Sequence, residues 1–317
     1  MFALGVATAM LAMSSSHSVR QYLVAGESRS EQIVVNDNRR PAGTISGRTV
    51  SIHLEIRRGM WHPDRDDAPG ISVNAFAEEG KPLNVPGPLI RVPAGSIVRV
   101  SVRNTLFNSV VVYGLSARGA GTSRGEDTVQ IRPGAVQEIS FPAGAPGTYY
   151  YSAKSARDTS SADPLAHAPV DAVLGGAFVI DAPGAASPDR DRVFVLNFWD
   201  PLARPADSSA TAGGEPNYWF TINGKAWPGT ERFSSASGDT VRMRFVNMAV
   251  GSRPMLLELP TAPGVVAATG QQLESGATCG LELTPRASGE LTILLKSANG
   301  TPLARLTVQI RFRGSAA

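Results

Sequence analysis

Apolar and polar side chains alternate with a period of two along much of the chain. The segment at residues 49–61, TVSIHLEIRRGMW, puts apolar side chains from Val50 to Ile56 on one face and polar side chains between them. Because successive side chains of a strand point to opposite faces, this pattern predicts a half-buried β-strand. The same alternation recurs at residues 95–104, GSIVRVSVRN, and at residues 239–247, DTVRMRFVN. No segment carries a sustained apolar stripe at the helical period, so the pattern predicts an all-β fold.

The strands fall into two series that are separated by a turn-rich segment, PGAASPDRD. We therefore predict a first domain at residues 44–182, a linker at 183–191 and a second domain at 192–313. IRVPAGSIVRVSVRN in the first series is echoed by ERFSSASGDTVRMRFVN in the second, and each copy leads from a Gly-containing turn into an alternating strand that ends in Asn. A repeat at an offset of one domain indicates a duplicated unit, and two Greek-key β-sandwiches in tandem are the simplest architecture.

Residues 1–43 form a separate segment before the first domain. Residues 1–18 contain no charged side chain, and their apolar part, Met1 to Met13, is shorter than the roughly 20 residues that span a bilayer. It resembles the apolar region of a secretory signal, although no basic residue precedes it. We expect a protein exported to the periplasm, with residues 1–18 either removed or retained as a membrane anchor. Residues 19–43 are polar and turn-rich, and we predict an extended arm.

Composition excludes two classes of function. The formal net charge is +3, and the basic residues are scattered among acidic ones, whereas a nucleic-acid interface needs clustered basic side chains. Cys279 is the single cysteine of the sequence, so the chain can form neither an internal disulfide nor a site with two thiolates. The 32 glycines and 23 prolines suit many short strands joined by tight turns.

Four stretches together resemble the cupredoxin domains of multicopper oxidases. NVPGPLIRVPAGSIVRVSVRNTL, at residues 84–106, is similar to part of the first such domain. IRPGAVQEISFPAGAPGTYYYSAK and AVLGGAFVIDAP resemble later parts of the same domain, and residues 221–259 resemble the opening of a second domain. The resemblance implies two tandem cupredoxin-like Greek-key β-sandwich domains preceded by an extended N-terminal arm.

The resemblance also implies positions for copper-binding histidines, and other residues occupy those positions here. The family's His-x-His-Gly-Leu stretch corresponds to VVYGL, its GTYWYHSH strand to GTYYYSAK, and its HPMHLHG stretch to RPMLLEL. The residues at the ligand positions are Val111, Tyr113, Ser152, Lys154, Arg253, Leu256 and Glu258. Since copper centres of this family need imidazole and thiolate ligands, we predict that they are absent, with no cofactor and no catalytic residue at these positions.

Candidates for other chemistry are few. A rearranged metal site from His53, His62 and His167, with Asp64 or Asp66, is the alternative, although the spacing matches no recognised ligand pattern. No Gly-x-Ser-x-Gly motif is present for nucleophilic catalysis.

A set of aromatic residues is expected either to fill the core and the seam between the domains or to contact a partner, because Tyr and Trp are enriched in interfaces. The members of this set are Tyr149, Tyr150, Tyr151, Trp199, Trp219 and Trp227.

Taken together, these features predict a copper-free, non-catalytic scaffold or accessory subunit that is not an enzyme. Its partners would be other protein subunits of a periplasmic or membrane-associated assembly, with the membrane itself contacted through residues 1–18 where these are retained. Degenerate multicopper-oxidase-like proteins that support cell-division machinery offer one analogy, and an accessory subunit of an electron-transfer complex, such as a photosynthetic reaction centre with its antenna, offers another. The alternative is an oxidoreductase or metal-binding protein with a relocated metal site.

Overall fold

The computed structural model describes most of the chain from residue 31 onward. The described ranges are 31–119, 127–156, 170–185, 190–200, 219–249, 254–258 and 271–312. Over these ranges the protein forms β-strands and no α-helix, which confirms the predicted all-β class. Residues 1–30, which include the first part of the predicted arm, lie outside the described ranges, as do His167 and Arg253.

Two sheets pack as a first sandwich. In chain order its strands are β1 (Val34–Val35), β2 (Thr44–Ser46), β3 (Thr49–Trp61), β4 (Ile71–Glu78), β5 (Asn84–Val85), β6 (Ile90–Pro93), β7 (Ile97–Asn104), β8 (Val110–Tyr113), β9 (Thr128–Ile131), β10 (Val136–Pro142), β11 (Gly147–Ser155) and β12 (Gly175–Asp181). One sheet has the order β1-β5-β4-β3-β7-β10, with β2 also paired to β3, and the other has the order β6-β12-β11-β8-β9.

Two further sheets form a second sandwich. Its strands are β13 (Asp191–Trp199), β14 (Trp219–Ile222), β15 (Lys225–Ala226), β16 (Arg232–Ala236), β17 (Val241–Asn247), β18 (Met255–Glu258), β19 (Gln271–Leu273), β20 (Thr278–Leu283), β21 (Gly289–Ser297) and β22 (Pro302–Arg311). The sheet orders are β15-β14-β13-β17-β20 and β16-β22-β21-β18-β19.

The second sandwich repeats the first, strand for strand. Each strand from β3 to β12 has a counterpart ten places later, and the pairing order is the same in both copies. The parallel pairs also correspond, since β3 pairs with β7 as β13 pairs with β17, and β6 pairs with β12 as β16 pairs with β22. The structure thus shows the duplicated unit that the sequence echo predicts. The contacts keep Glu31–Ala317 as one compact unit, so the domain limits at 44–182 and 192–313 stay a prediction.

A buried seam joins the two sandwiches, and it explains why the sequence of β12 is continuously apolar. Along β12, Phe178 and Ile180 point into the core of the first sandwich. Ala177 and Val179 point the other way, into a cluster with Val193 and other apolar residues of the second sandwich. Both faces of β12 are therefore buried, and a strand in that position reads as the continuous apolar run GGAFVI rather than as an alternation.

Buried ion pairs cross the same seam. Arg91 bonds the Asp181 carboxylate at 2.7 Å and the Asp191 carboxylate at 2.9 Å. Arg244 bonds Asp191 at 2.8 Å and donates to the Thr148 hydroxyl at 2.8 Å. Asp191 is fully buried and accepts from both arginines, so it fixes the first strand of the second sandwich against the first sandwich.

The described part of the predicted arm lies along both sandwiches. Val34–Val35 adds a parallel strand beside β5, and the Ala42 backbone N–H donates to the Leu89 carbonyl at 2.8 Å. Between these points Asn38 is buried and donates to the Asn223 side-chain oxygen at 3.0 Å. This segment therefore contributes hydrogen bonds to the joint between the two sandwiches.

Candidate functional site

The predicted ligand positions of the first sandwich lie directly opposite one another on β8 and β11. In the antiparallel register Val111 faces Lys154, and Tyr113 faces Ser152. The neighbouring residues Val110 and Val112 are buried in the core, so the four ligand positions lie on the outer face of the sheet, because side chains alternate along a strand. The fold brings these positions together as the resemblance implies.

These side chains do not fit copper. Val111 has no donor atom, and Tyr113 and Ser152 offer only hydroxyl oxygens. Lys154 is exposed and places a positive charge on the same face. Copper in cupredoxin centres is bound by imidazole nitrogen and thiolate sulfur, and none of the four residues carries either group.

The second sandwich has an equivalent pair of strands, β18 and β21. Leu256 faces Lys296 across this pair, as Val111 faces Lys154 in the first sandwich. Glu258 forms an ion pair with Lys296, which occupies its carboxylate. A lysine thus stands at the corresponding place in both copies, and Arg253 lies outside the described residues.

Cys279 lies in the core of the second sandwich on β20, opposite Phe245 of β17. Burial raises the pKa of its thiol to about 11. Metals bind the thiolate rather than the thiol, so this environment opposes metal binding by the single cysteine of the chain.

The two described histidines are far apart. His53 lies on the outer side of β3, with Nδ1 2.7 Å from the Ser101 hydroxyl. His62 follows the end of β3, with Nδ1 2.8 Å from the Ala68 carbonyl oxygen and Nε2 3.0 Å from Gln32 Oε1. At about 3.3 Å per residue, nine residues of extended strand separate the two side chains by roughly 30 Å. A single metal ion cannot bind both, and His167 lies outside the described residues.

The predicted aromatic set is divided between the interior and the surface. Tyr149 and Tyr151 lie in the core of the first sandwich, and Tyr150 lies in the seam. Trp199 is buried with Trp219 packed at 5.7 Å, in a cluster with residues of the first sandwich. Trp227 is 45% exposed and stacks with Arg305. The three tyrosines therefore offer almost no surface to another protein.

The sequence alone did not identify Arg118, a buried arginine that follows β8 in the chain. Arg118 lies over the rings of Tyr149 and Phe178 and donates to the carbonyl oxygens of Gly114 and Tyr150. Burial lowers the pKa of its guanidinium to about 10. Gly114 adopts a φ of +80°, and a Cβ there would lie 2.5 Å from the Tyr150 carbonyl oxygen, so the turn after the ligand positions requires glycine.

Comparisons with known proteins agree with this architecture. Residues 80–182 match the family model described as multicopper oxidase. Among solved structures, a copper nitrite reductase from Nitrosomonas europaea is similar with a TM-score of 0.59 and 20% identity, covering 83% of this chain and 94% of that one. A blue copper oxidase from the same organism has a TM-score of 0.54 and 17% identity, covering 83% and 86%. No curated protein sequence matches the chain.

A multicopper oxidase from Campylobacter jejuni is also similar, with a TM-score of 0.57 and 16% identity, covering 90% of this chain and 61% of that one. These similarities confirm the predicted tandem cupredoxin-like fold and the predicted resemblance to multicopper oxidases.

The same comparisons correct one prediction. From the residues at the ligand positions we expected that the protein is not an enzyme. The matched family and the structural neighbours are enzymes, and nothing in the described ranges shows that this protein is inactive, so that expectation is wrong.

With respect to the membrane, the described residues include no helix that is both long enough and apolar enough to cross a bilayer.

Proposed function

We propose that the protein is an oxidoreductase or metal-binding protein of the cupredoxin-fold class, with metal ligands away from the positions that the resemblance assigns to copper. The match of residues 80–182 to multicopper oxidases, together with structural neighbours that are copper enzymes, supports the class. The side chains on β8, β11 and β18 do not fit copper, which supports a different location. The observation that carries the location is the hydrogen bonding of His62.

His62 has the arrangement that is common among metal-binding histidines. Its Nδ1 lies 2.8 Å from the Ala68 carbonyl oxygen, so Nδ1 carries the proton and donates. This tautomer leaves the lone pair of Nε2 for a ligand, and metal-bound histidines usually donate their other ring N–H to a carbonyl or a carboxylate. As the side chains stand, Nε2 lies 3.0 Å from Gln32 Oε1, which is an acceptor, so the Nε2 lone pair is open to a ligand only after the exposed Gln32 side chain turns its amide away.

Carboxylates follow His62 in the same turn, namely Asp64 and Asp66. The hydrogen bond and positive charge of Lys225 lower the pKa of Asp66. An imidazole beside carboxylates is a ligand set that zinc and related divalent metals accept. No three His, Cys, Asp or Glu side chains of the described ranges come together to hold a metal ion, so the proposal requires a further ligand, for which His167 is the predicted candidate.

The experiment compares His62→Ala with His53→Ala. Both variants remove one imidazole from the region of β3, and only His62 belongs to the proposed site. We expect Zn²⁺ or Cu²⁺ to raise the melting temperature of the unmodified protein and of His53→Ala, and to have little effect on His62→Ala, because a ligand that binds only the folded state stabilises it. A shift that is equal in all three proteins, or absent from all three, contradicts the proposed location.

A second candidate function is binding to other subunits of an exported or membrane-associated assembly, such as an electron-transfer complex or cell-division machinery. The observation that favours it is Phe107, which is 99% exposed in the connection from β7 to β8. This connection leads into β8, where Val111 and Tyr113 are partly buried on the outer face of the sheet. A large aromatic side chain left in water is a suitable anchor for a protein partner.

Mild detergent extraction of native membranes tests this second candidate. We expect the unmodified protein to co-purify with a defined complex and Phe107→Ser to be recovered largely without it, with Phe312→Ser, another highly exposed phenylalanine, as the matched control. Recovery of the unmodified protein alone as a monomer contradicts a role in an assembly.

A further inference from the structure

A cavity of about 260 Å³ opens at the end of the second sandwich. It lies where the arm, the start of β13 and the edge strand β16 meet, and Arg39, Arg190, Arg192 and Ser235 contribute to its lining. None of the predicted copper-ligand positions and neither described histidine lines it. The cavity is therefore separate from the site proposed above.

Arg192 forms a fixed cationic wall of this cavity. Its side chain is only 6% exposed, and its guanidinium lies 4.8 Å from the ring centre of Phe233. It donates to the Glu231 carboxylate, while its Nε is buried and has no hydrogen-bond partner among the described residues. The neighbouring Glu231 Oε2 is likewise buried without a partner among the described residues, so what Arg192 contributes to the cavity is a fixed positive charge.

Arg39 and Arg190 are the exposed counterparts of Arg192 in the lining of the cavity. Their side chains are 53% and 56% exposed. Arg39 lies 3.4 Å from Glu231, and Arg190 lies 3.7 Å from Asp239. Ion pairs this long contribute little, although the Glu231 and Asp239 side chains are only 20% and 22% exposed, so both exposed guanidinium groups can turn toward a ligand.

The carboxylates near the cavity do not accept hydrogen bonds from all the N–H donors of its three arginines. Asp37, Glu231 and Asp239 balance the three arginines in net charge, but only Asp239 of these acids lines the cavity. Each guanidinium has five N–H donors in a planar fork, more than the two oxygens of one carboxylate engage. The cavity therefore offers an excess of directed donors rather than a large excess of charge.

We propose that this cavity binds a phosphate group, either of a free phosphate compound or of an anionic lipid headgroup. The guanidinium fork matches phosphate oxygens in pairs, and Ser234 adds a hydroxyl to the lining, whereas the hydroxyls of Ser235 and Thr240 already bond the Ala236 carbonyl and the Thr284 hydroxyl. The volume is below the roughly 300–1,000 Å³ of pockets for drug-sized ligands, which suits a single phosphate rather than a large molecule.

Titration calorimetry of the full chain with inorganic phosphate, against chloride at equal ionic strength, is the first arm of the test. The double variant Arg39→Gln/Arg190→Gln removes two exposed guanidinium groups from the cavity. Arg65→Gln/Arg99→Gln makes the same change in charge at two exposed positions elsewhere. We expect the dissociation constant to rise at least about tenfold in the first variant and to change less than about twofold in the control.

Co-flotation with vesicles is the second arm and distinguishes the two sources of phosphate. Vesicles of phosphatidylcholine alone are compared with vesicles that also contain phosphatidylglycerol. The readout is the difference in the bound fraction of protein between the two kinds of vesicle. An uncharged membrane anchor at residues 1–18 would bind both kinds and would not create this difference. Saturable binding of inorganic phosphate that the cavity variant loses assigns a free phosphate compound, and a preference for phosphatidylglycerol that it loses assigns a lipid headgroup. Equal behaviour of the cavity variant and its control in both arms overturns the proposal.

Discussion

At the scale of single residues, two asparagines repeat one structural device. Asn104 ends β7 and Asn247 ends β17, and both are fully buried. In each, the side-chain amide donates to two backbone carbonyls, and the side-chain oxygen accepts the N–H of the second following residue at 3.0 Å. A buried amide that satisfies three backbone groups holds the turn after the strand, which explains why both copies of the sequence echo end in Asn.

Replacement of either residue should therefore be costly. We expect Asn104→Ala and Asn247→Ala each to lower the free energy of unfolding by about 3 kcal/mol, because two carbonyls and one N–H lose their partners in a buried place. Asn108→Ala, at an exposed position in the same turn, should change it by less than about 0.5 kcal/mol. Urea denaturation measures the free energy of unfolding of all three variants. Equal effects at Asn104 and Asn108 would show that the buried hydrogen bonds of Asn104 do not stabilise the turn.

Cys279 provides a residue-scale prediction about pH. Its thiol has a pKa of about 11 in the folded protein against an ordinary value near 9, because it is buried. Between pH 9 and 11 the unfolded chain releases this proton and the folded chain keeps it, so stability decreases as the pH rises. Over this interval the unmodified protein should lose about 2 kcal/mol more than Cys279→Ala, as measured by denaturant unfolding at each pH. If the free energy of unfolding of the two proteins changed equally with pH, burial would not raise the pKa of this thiol.

At the scale of elements, burial on one or two faces distinguishes strands that look similar in sequence. Val179 on β12 faces the seam, whereas Val111 on β8 faces outward. The alternation of β3 or β7 is a local signal, so the sequence predicts those strands and their buried faces directly. The seam is not local, since β12 and β13 come together only in the folded chain, and no pattern within either strand identifies its partner.

This difference predicts unequal effects of the same substitution. Val179→Ala should lower the free energy of unfolding by about 2 kcal/mol, since it deletes two buried methyl groups and leaves a cavity. Val111→Ala should have a smaller effect, less than about 1 kcal/mol, because Val111 is only partly buried on the outer face. Thermal and urea unfolding compare the pair, and similar losses would mean that the outer face of β8 is covered.

At the scale of the whole molecule, the seam makes one unit of two repeated sandwiches. Asp191 stands at the centre of its charged part, between Arg91 and Arg244. The sequence shows these residues only as scattered charges, and the same holds for Arg118 and for the three arginines of the cavity. Their roles depend on which distant segments meet, which composition and period do not encode. The ligand positions were predictable because a long motif fixes their strand and register.

Removing the Asp191 carboxylate tests whether the buried ion pairs stabilise the seam. Asp191→Asn should lower the free energy of unfolding by about 3 kcal/mol, because Arg244 then lacks a charged partner in a buried place. Glu282→Gln removes the carboxylate of the exposed pair with Arg242 and should cost less than about 0.5 kcal/mol. Calorimetric unfolding of both variants measures the contrast, and a negligible effect at Asp191 would show that apolar contacts alone hold the seam.

We infer that this cupredoxin-fold protein binds a metal away from the positions of Val111, Tyr113, Ser152 and Lys154. The most direct test is the metal content of the full chain, purified from its native source without chelators or a histidine tag and measured by inductively coupled plasma mass spectrometry. We expect about one transition-metal ion per chain, retained when Lys154 and Ser152 are both replaced by alanine. Metal-free protein whose melting temperature does not change on addition of copper or zinc would contradict it.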